Sequence, residues 1–362
     1  MEEAQQEKLL ILNRKTLTKG LLVGIIAYVG AMVFAFVFFL TMLFQKYQLF
    51  LLAANLSHQD FVSILKELDP KQFSQIKTTV LILGVDETEN RPNFPQLTDS
   101  ILLTQIDPTK NTITLLSLPR DLWSSPYQTK INALLEYGKI RYPEQPTKFP
   151  QEVIEEITNT NINYSLIISL DQLAEIIDLV GGVNVNVQEG FVDEMYPRDD
   201  VDITVEKDPE KLYETVEFKP GLQTMDGKTA LKYIRSRHSS DLNAGNDLAR
   251  SQRQQQVIQA LIKNLSEPKK YWHQPQLAGF LLQFYQLNFN QYLPLKDILS
   301  IAVNFASDLD GLTLAPLSLN VYPDDNEGLI EHPKNLTPYQ NQWVYIIRDE
   351  AALKEFVQQN FK

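Results

Sequence analysis

Three short apolar runs between residues 78 and 118 decide the fold. They read TTVLILGV at 78–85, SILLTQI at 100–106 and TITLLSL at 112–118. Runs of this length and composition are typical of buried β-strands. The second and third runs are joined by DPTKN at 107–111, which favours a tight turn. These two runs are therefore predicted to form an antiparallel hairpin.

Helical and strand-like patterns alternate through the rest of the chain. This alternation predicts an α/β (α+β) domain followed by a C-terminal extension. The stretch at 190–220 is acidic, contains proline and is predicted to be irregular. The remaining predicted elements are helices at 151–158, 170–180, 226–235, 246–265 and 350–359, two more helical stretches between 268 and 307, and strands at 183–187, 312–317 and 343–347.

Residues 21–44 read LLVGIIAYVGAMVFAFVFFLTMLF and contain no charged side chain. At about 1.5 Å per residue, a helix of this length covers the roughly 30 Å hydrocarbon core of a bilayer. The apolar region of a cleaved signal peptide is shorter, about 7–15 residues. The run is therefore predicted to be an uncleaved transmembrane anchor.

The charges beside this run predict its orientation. Lys8, Arg14, Lys15 and Lys19 precede it, and only Lys46 follows closely. The positive-inside rule then predicts a single-pass protein of the cell membrane with a cytoplasmic N-terminus. The predicted segments are a cytoplasmic N-terminus (1–20), a transmembrane helix (21–44), a stalk (45–77), an extracytoplasmic main domain (78–268) and a C-terminal extension that packs on it (269–362).

Composition excludes several classes of function. The net charge is −12, so the chain has no general attraction for nucleic acid, and no nucleic-acid partner is expected. Cysteine is absent, which excludes disulfides, thiolate metal sites and a cysteine nucleophile. The four histidines are scattered, and the sequence contains no G-x-x-x-x-G-K-[ST], G-x-S-x-G or H-E-x-x-H motif.

Acidic and basic side chains stand at the ends of the first three predicted strands. Asp86 follows the first strand, Asp99 precedes the second, and Arg120 and Asp121 follow the third. In an antiparallel hairpin Asp99 and Arg120 share one edge, and Asp86 joins them if the first strand is also antiparallel to the second. Two carboxylates there could hold a hard cation such as Mg²⁺. The alternative is that each aspartate caps a turn and pairs with arginine on the surface.

A second cluster contains arginines and one helical face. Asp247, Arg250 and Gln254 are spaced i, i+3 and i+7, so they share a face of the predicted helix. Guanidinium groups match phosphate oxygens in a bidentate geometry. The alternative is an ion-pair network with nearby aspartates. The arginines of the cluster are Arg235, Arg237, Arg250 and Arg253.

These motifs together resemble the LytR-CpsA-Psr family of bacterial cell-envelope proteins. The resemblance covers about residues 78–268 and the N-terminal anchor. It is carried by LILGVD ending at Asp86, TDS with Asp99, SLPRD with Arg120 and Asp121, KIN with Lys130 and Asn132, LVGGVNV at 179–185, MDGKTALKYIRSR at 225–237 and DLARSQRQ at 247–254.

The resemblance implies an α/β/α sandwich with a mixed central sheet, whose pocket takes the hydrocarbon tail of a polyprenyl carrier. It implies a transferase that moves a glycopolymer from polyprenyl pyrophosphate onto peptidoglycan. By the same resemblance Asp86 and Asp99 would hold Mg²⁺ (or Mn²⁺). The transfer chemistry also calls for a general base beside Arg120, for which Asp121 and Asp247 are the two candidates. The implied pyrophosphate-binding residues are Arg120, Lys130, Arg235, Arg237, Arg250 and Gln254.

The chain departs from the family pattern at two places. Leu97 stands where many members carry arginine, and Arg91 and Lys130 are the cations that could compensate. The spacer at 238–246 is longer than expected. Two other functions stay open: a polyprenyl pyrophosphate phosphatase, in which water replaces the sugar acceptor, and a lipid-binding or regulatory module without turnover, which Leu97 favours.

Overall fold

The computed structural model describes most of the chain. The predictions for Arg91, Arg237 and the spacer at 238–246 concern residues outside the described ranges. Those ranges are 2–67, 77–86, 96–198, 201, 207–236, 247–305, 308–309, 311–323 and 325–361.

Helices and strands alternate along the described residues. The helices are α1 (Glu2–Ala53), α2 (His58–Glu67), α3 (Leu134–Arg141), α4 (Lys148–Thr158), α5 (Leu170–Leu179), α6 (Pro209–Leu212), α7 (Gly227–Arg235), α8 (Asp247–Leu265), α9 (Pro268–His273), α10 (Pro275–Asn288), α11 (Leu295–Phe305) and α12 (Glu350–Asn360). The strands are β1 (Thr78–Val85), β2 (Thr98–Asp107), β3 (Thr112–Leu118), β4 (Trp123–Ser124), β5 (Thr129–Lys130), β6 (Tyr164–Ser169), β7 (Val183–Val187), β8 (Phe191–Pro197), β9 (Tyr213–Phe218), β10 (Gly221–Met225), β11 (Thr313–Ser318), β12 (Val321–Tyr322), β13 (Ile330–Glu331) and β14 (Ile346–Ile347).

A five-stranded mixed sheet forms the centre of the molecule, in the order β11-β3-β2-β1-β6. Strand β2 is antiparallel to both β1 and β3, so the predicted hairpin and the pairing of the first strand are confirmed. Strands β6 and β11 lie parallel to β1 and β3. Helices pack on this sheet, which confirms the α/β fold with a mixed central sheet.

The β2–β3 turn shows why this sequence makes a hairpin. The side chain of Asp107 accepts hydrogen bonds from the backbone amides of Thr109 and Lys110, at 3.0 and 3.3 Å. Asn111 then has a φ of 52°, a left-handed conformation that asparagine tolerates better than most residues. The polar turn residues therefore supply the reversal that the two apolar strands need.

Two expectations about local structure were wrong, and one strand was not predicted. The run at 164–169, which was not assigned to a strand, is β6. The acidic stretch at 190–220 is not irregular throughout, because its two ends pair as the antiparallel hairpin β8–β9. The strand expected at 343–347 is reduced to β14. Beyond residue 268, strand β11 lies at one edge of the central sheet.

Two groups of buried apolar side chains stabilise the described part of the chain. One lies around the central sheet and includes Leu81, Leu103 and Leu116 with Leu353 and Val357 of α12. The other packs helices α5, α7 and α8 against the smaller strands β7 to β10. Burial of each large aliphatic side chain contributes about 1.5–3 kcal/mol. Strands β1 and β2 are held rigid by the first group, which fixes the position of their ends.

Helix α1 contains a run, Leu21–Ala53, long and apolar enough to cross a membrane by length and composition. Its C-terminal end packs on α10, where Leu51, Ala53 and Ala54 are buried. The backbones approach closely at Gly279, since a Cβ there would lie 2.5 Å from the carbonyl oxygen of Phe50. The base of the apolar helix is therefore joined to the folded body.

Candidate active site

Two aspartates stand where β1 and β2 meet at one edge of the sheet. Asp86 follows the last residue of β1. Gly84 pairs with Ser100 and Val85 pairs with Thr98, so Asp99 is the extra residue of a β-bulge. A bulge turns its side chain out of the regular alternation of the strand. The sequence therefore brings both carboxylates to the same edge.

Arg120 joins the two ends of the β2–β3 hairpin. Its Nη1 forms an ion pair with Oδ1 of Asp99, and its Nε lies 3.4 Å from Oδ2 of Asp121. The other carboxylate oxygen of Asp121 lies 2.6 Å from Nζ of Lys130 on β5. The side chain of Asp121 is only 7% exposed, so this buried acid holds the two cations in position.

Arg235 reaches the same edge from the last residue of α7. Its Nη2 lies 3.3 Å from Oδ2 of Asp86, and both side chains are about a quarter exposed. The apolar face of α7, with Tyr233 and Ile234 buried, packs in the second core. That packing directs the polar end of the helix to the sheet edge. Arg235 and Asp86 therefore face each other, as the hypothesis of a shared site requires.

Helix α8 contributes Arg250 and Gln254 from the face that their spacing predicted. Arg250 is 4% exposed, and its Nη2 lies 3.5 Å from the carbonyl oxygen of Asp99. A buried guanidinium keeps its charge only where polar groups surround it. Arg250 is therefore a fixed positive group behind the bulge.

Several of these side chains line an open cleft at the sheet edge. Charged and amide groups on its surface come from Asp99, Arg120, Asp121, Arg250 and Gln254, and apolar groups come from Ile101, Leu118 and Leu319. Such a combination of a few convergent polar groups with an apolar lining is typical of ligand sites. The cleft therefore presents two guanidinium groups next to an apolar wall.

The predicted site residues differ in where the structure places them. Asp86 and Arg235 pair beside the cleft but do not line it, and Lys130 reaches it through Asp121. The structure describes Asp247 only as the first residue of α8. Arg237 lies outside the described residues. Leu97 is 37% exposed just before β2.

Asp86 and Asp99 are the donor set for the predicted metal. No cluster of three or more His, Asp or Glu side chains able to hold a metal occurs within the described residues. Mg²⁺ needs few protein carboxylates because it retains water and takes phosphate oxygens as ligands. The residues therefore fit a cation that shares its coordination with a phosphate ligand, and do not fit a closed structural metal site.

Known proteins share this arrangement of elements. The LytR_cpsA_psr family model matches residues 53–330. This chain belongs to the LytR-CpsA-Psr family. It is 26% identical over 288 residues to the polyisoprenyl-teichoic acid–peptidoglycan teichoic acid transferase TagU of Oceanobacillus iheyensis, covering 79% of this chain and 76% of TagU. It is 27% identical over 250 residues to the regulatory protein MsrR of Staphylococcus aureus, covering 69% and 67% of the two chains.

Solved structures of the family share the fold. The crystal structure of Bacillus subtilis TagV superimposes with a TM-score of 0.55 at 19% identity, covering 80% of this chain and 98% of TagV. The family protein YwtF (TagT) with bound octaprenyl pyrophosphate lipid gives a TM-score of 0.50 at 19% identity, covering 81% and 92%. The LytR-CpsA-Psr fold therefore extends over most of this chain.

Two features of this LytR-CpsA-Psr protein were not predicted from the sequence. Tyr345 lines the cleft from beyond residue 330, where the family match ends. Arg253 was grouped with the other arginines, but it lies in the second core, with its guanidinium carbon 4.7 Å from the ring centre of Phe191. Its Nη2 donates a 2.6 Å hydrogen bond to the carbonyl of Ser236. Burial lowers the pKa of the Arg253 guanidinium.

Proposed function

We propose that this protein is a membrane-anchored phosphotransferase that moves a glycopolymer from a polyprenyl-pyrophosphate carrier onto peptidoglycan. The observation that carries the proposal is the cleft in which Arg120 and Arg250 meet the bulge at Asp99. Two relatives support it: TagU is named as a polyisoprenyl-teichoic acid–peptidoglycan teichoic acid transferase, and TagT has been solved with bound octaprenyl pyrophosphate lipid.

Recognition of the donor would exchange internal ion pairs for contacts with phosphate. Arg120 and Arg235 each face one carboxylate, and Arg250 lies behind them. A pyrophosphate brought to this edge can accept hydrogen bonds from these guanidinium groups. Arg237, Lys130 and Gln254 belong to the same proposed binding set. The apolar residues of the cleft would contact the start of the hydrocarbon chain.

Asp86 and Asp99 are the proposed ligands of Mg²⁺ (or Mn²⁺). When bound, the cation would neutralise charge on the pyrophosphate. Arg120 and Arg235, which pair with these aspartates, would bind the phosphate oxygens. Arg120 is oriented for this contact because Asp121 holds its Nε side.

The proposed reaction forms one bond and breaks one. A sugar hydroxyl of the acceptor attacks the phosphorus nearer the glycopolymer, and the bond from that phosphorus to the oxygen of polyprenyl phosphate breaks. The hydroxyl proton passes to a carboxylate, for which Asp121 and Asp247 are the candidates. Charge neutralisation and alignment dominate such a transfer, and the arginines supply both.

The apolar run of α1 is the proposed anchor in the cell membrane. The cations before it favour a cytoplasmic N-terminus by the positive-inside rule, so the cleft would lie outside, where a peptidoglycan acceptor is found. Because the base of α1 is joined to α10, the anchor would keep the cleft near the bilayer that holds the carrier lipid.

The test incubates the full-length protein in detergent with a fluorescent polyprenyl-pyrophosphate glycan, Mg²⁺ and peptidoglycan glycan strands. We expect label on the strands and release of polyprenyl phosphate, both lost with a chelator. Release of polyprenyl phosphate and free phosphorylated glycan without labelled strands would replace the proposal with a phosphatase. Tight donor binding without turnover would replace it with the regulatory module that Leu97 and the name of MsrR favour.

Arg120→Ala should reduce transfer by about 100-fold or more, because a fixed positive group that faces the developing charge is removed. Circular dichroism should show an intact fold, since the side chain is partly exposed. The matched control is Arg141→Ala on α3, whose guanidinium contacts the ring of Phe149 away from the cleft. Full transfer activity in Arg120→Ala would contradict the assignment.

A further inference from the structure

A surface segment at residues 335–347 borders the cleft and differs from the rest of the chain in its charge composition. It reads NLTPYQNQWVYII and contains no charged side chain, although the protein carries 45 acidic and 33 basic residues. The family match ends at residue 330, so this segment lies beyond it. Its chemistry is therefore not explained by the family assignment.

An indole ring stands at the centre of this segment. Trp343 is 42% exposed. The ring of His332 stacks on it at 5.0 Å with an interplanar angle of 24°, and the ring of Tyr345 meets it edge to face at 4.7 Å. These two contacts fix the orientation of an aromatic ring that is still accessible to a ligand.

Amide side chains precede the indole in the chain, on a turn that the neighbouring loop holds in place. Gln340 and Asn341 both have a φ of 57°, and both are exposed. The Nε2 of Gln340 donates to the carbonyl of Gln128 on the neighbouring β4–β5 loop, and Tyr339 packs edge to face on Trp123. The turn is thus held in place before any ligand arrives.

The segment is continuous with the cleft. Tyr345 lines the cleft and also contacts Trp343. Its amide donates to the carbonyl of Asp121 at 2.9 Å, and its carbonyl accepts from the amide of Trp123 at 2.8 Å. A ligand on the indole therefore lies beside the acid that orients Arg120.

We propose that Trp343 and its neighbouring amides form the subsite for the acceptor, an uncharged N-acetylhexosamine stretch of a glycan strand. The C–H face of a pyranose ring stacks on an aromatic face, and amides both donate to and accept from hydroxyl and acetamido groups. Lys334 and Arg348 flank the segment, but its own side chains offer ring contacts and hydrogen bonds and no ion pairs, which matches a neutral sugar. The proposal rests on the proposed function, because it names the acceptor side of the same site.

The test measures binding of chitohexaose, a neutral N-acetylglucosamine oligomer, to the full-length protein in detergent by calorimetry. We expect Trp343→Ala to weaken binding about tenfold. Trp343→Phe should restore most of the affinity because it retains a ring. Gln342→Ala should weaken binding by a smaller factor. The matched control is Trp272→Ala, which removes an indole that is 54% exposed and lies near the anchor, under Lys46.

Binding of the oligomer needs no donor, so its outcome is independent of the transfer reaction. Equal affinity in the wild type and Trp343→Ala, or an equal loss in Trp272→Ala, would overturn the subsite. Loss of affinity for the polyprenyl-pyrophosphate donor in Trp343→Ala would overturn it as well, because the segment would then serve the donor. If transfer is absent but the oligomer binds through Trp343, the proposed function fails and the subsite stands.

Discussion

Arg253 acts at a distance from the cleft. Its Nη2 donates to the carbonyl of Ser236, the residue between Arg235 and Arg237. The carboxylate of Asp193, which is fully buried, favours the charged form of the Arg253 guanidinium. Its role is therefore to fix the end of α7, and through it the direction of Arg235. Removal of one partner of a buried charge pair lowers the free energy of unfolding by about 3–5 kcal/mol.

Arg253→Lys keeps the charge and removes the planar group that reaches Ser236. We expect most of the stability to remain while affinity for the polyprenyl-pyrophosphate donor falls about tenfold, because Arg235 is no longer held. Arg348→Lys is the matched control, since Arg348 also donates to a carbonyl (Gly328, 2.8 Å) and lies over the ring of Tyr322, outside the cleft. Donor affinity that falls only in proportion to stability would contradict a positioning role.

At the scale of the element, helix α7 shows how a short sequence can both stabilise a helix and position a site residue. Asp226 caps its N-terminus by accepting a 2.7 Å hydrogen bond from the amide of Thr229. Hydrogen bonds from the side chain and backbone of Thr229 lower the pKa of Asp226 below its usual 3.8. The same helix ends at Arg235, so its N-cap contributes stability and its last residue contributes charge.

Asp226→Ala should lower the free energy of unfolding by about 1 kcal/mol at neutral pH. Because the folded-state pKa is lowered, this stabilisation is present above about pH 3.8 and is lost as the pH falls through the folded value. Asp226→Asn is the matched control, because asparagine keeps the cap but does not titrate. Urea unfolding between pH 3 and 7 measures both, and an acid dependence unchanged in Asp226→Asn would contradict this account.

The elements that sequence predicts well are those with strong local signals. The turn chemistry of Asp107 and Asn111 identified the β2–β3 hairpin, and hairpin geometry then placed Asp99 beside Arg120. Strand β6 was missed because its apolar run leads directly into a helical pattern at Ser169. The bulge at Asp99 and the approach of Tyr345 depend on contacts between distant residues, which no local pattern encodes.

At the scale of the whole molecule, the anchor and the folded body share an interface. Leu51, Ala53 and Ala54 at the base of α1 are buried, and α10 meets them at Gly279. The described body is thus not suspended on a free tether. Its position relative to α1 is set by close contact between two helices, which small residues permit.

A chain that begins at residue 46 should be more stable than one that begins at residue 57, by about 3 kcal/mol, because only the longer chain buries the base of α1. Gly279→Ala distinguishes this contact from a general effect of length. It should destabilise the longer chain, in which the added methyl meets Phe50, and stabilise the shorter chain through its helix propensity. Chemical denaturation measures all four proteins, and the same sign in both chains would contradict the interface.

The edge strand β11 has a consequence for biosynthesis. Thr112 pairs with Thr313, so the border of the sheet beside the hairpin is supplied by a segment translated long after it. Leu319 and Tyr345 emerge later still, and both belong to the wall around Arg120. A nascent chain therefore lacks part of the wall around Arg120 until residue 345 has been synthesised and folded back onto the hairpin.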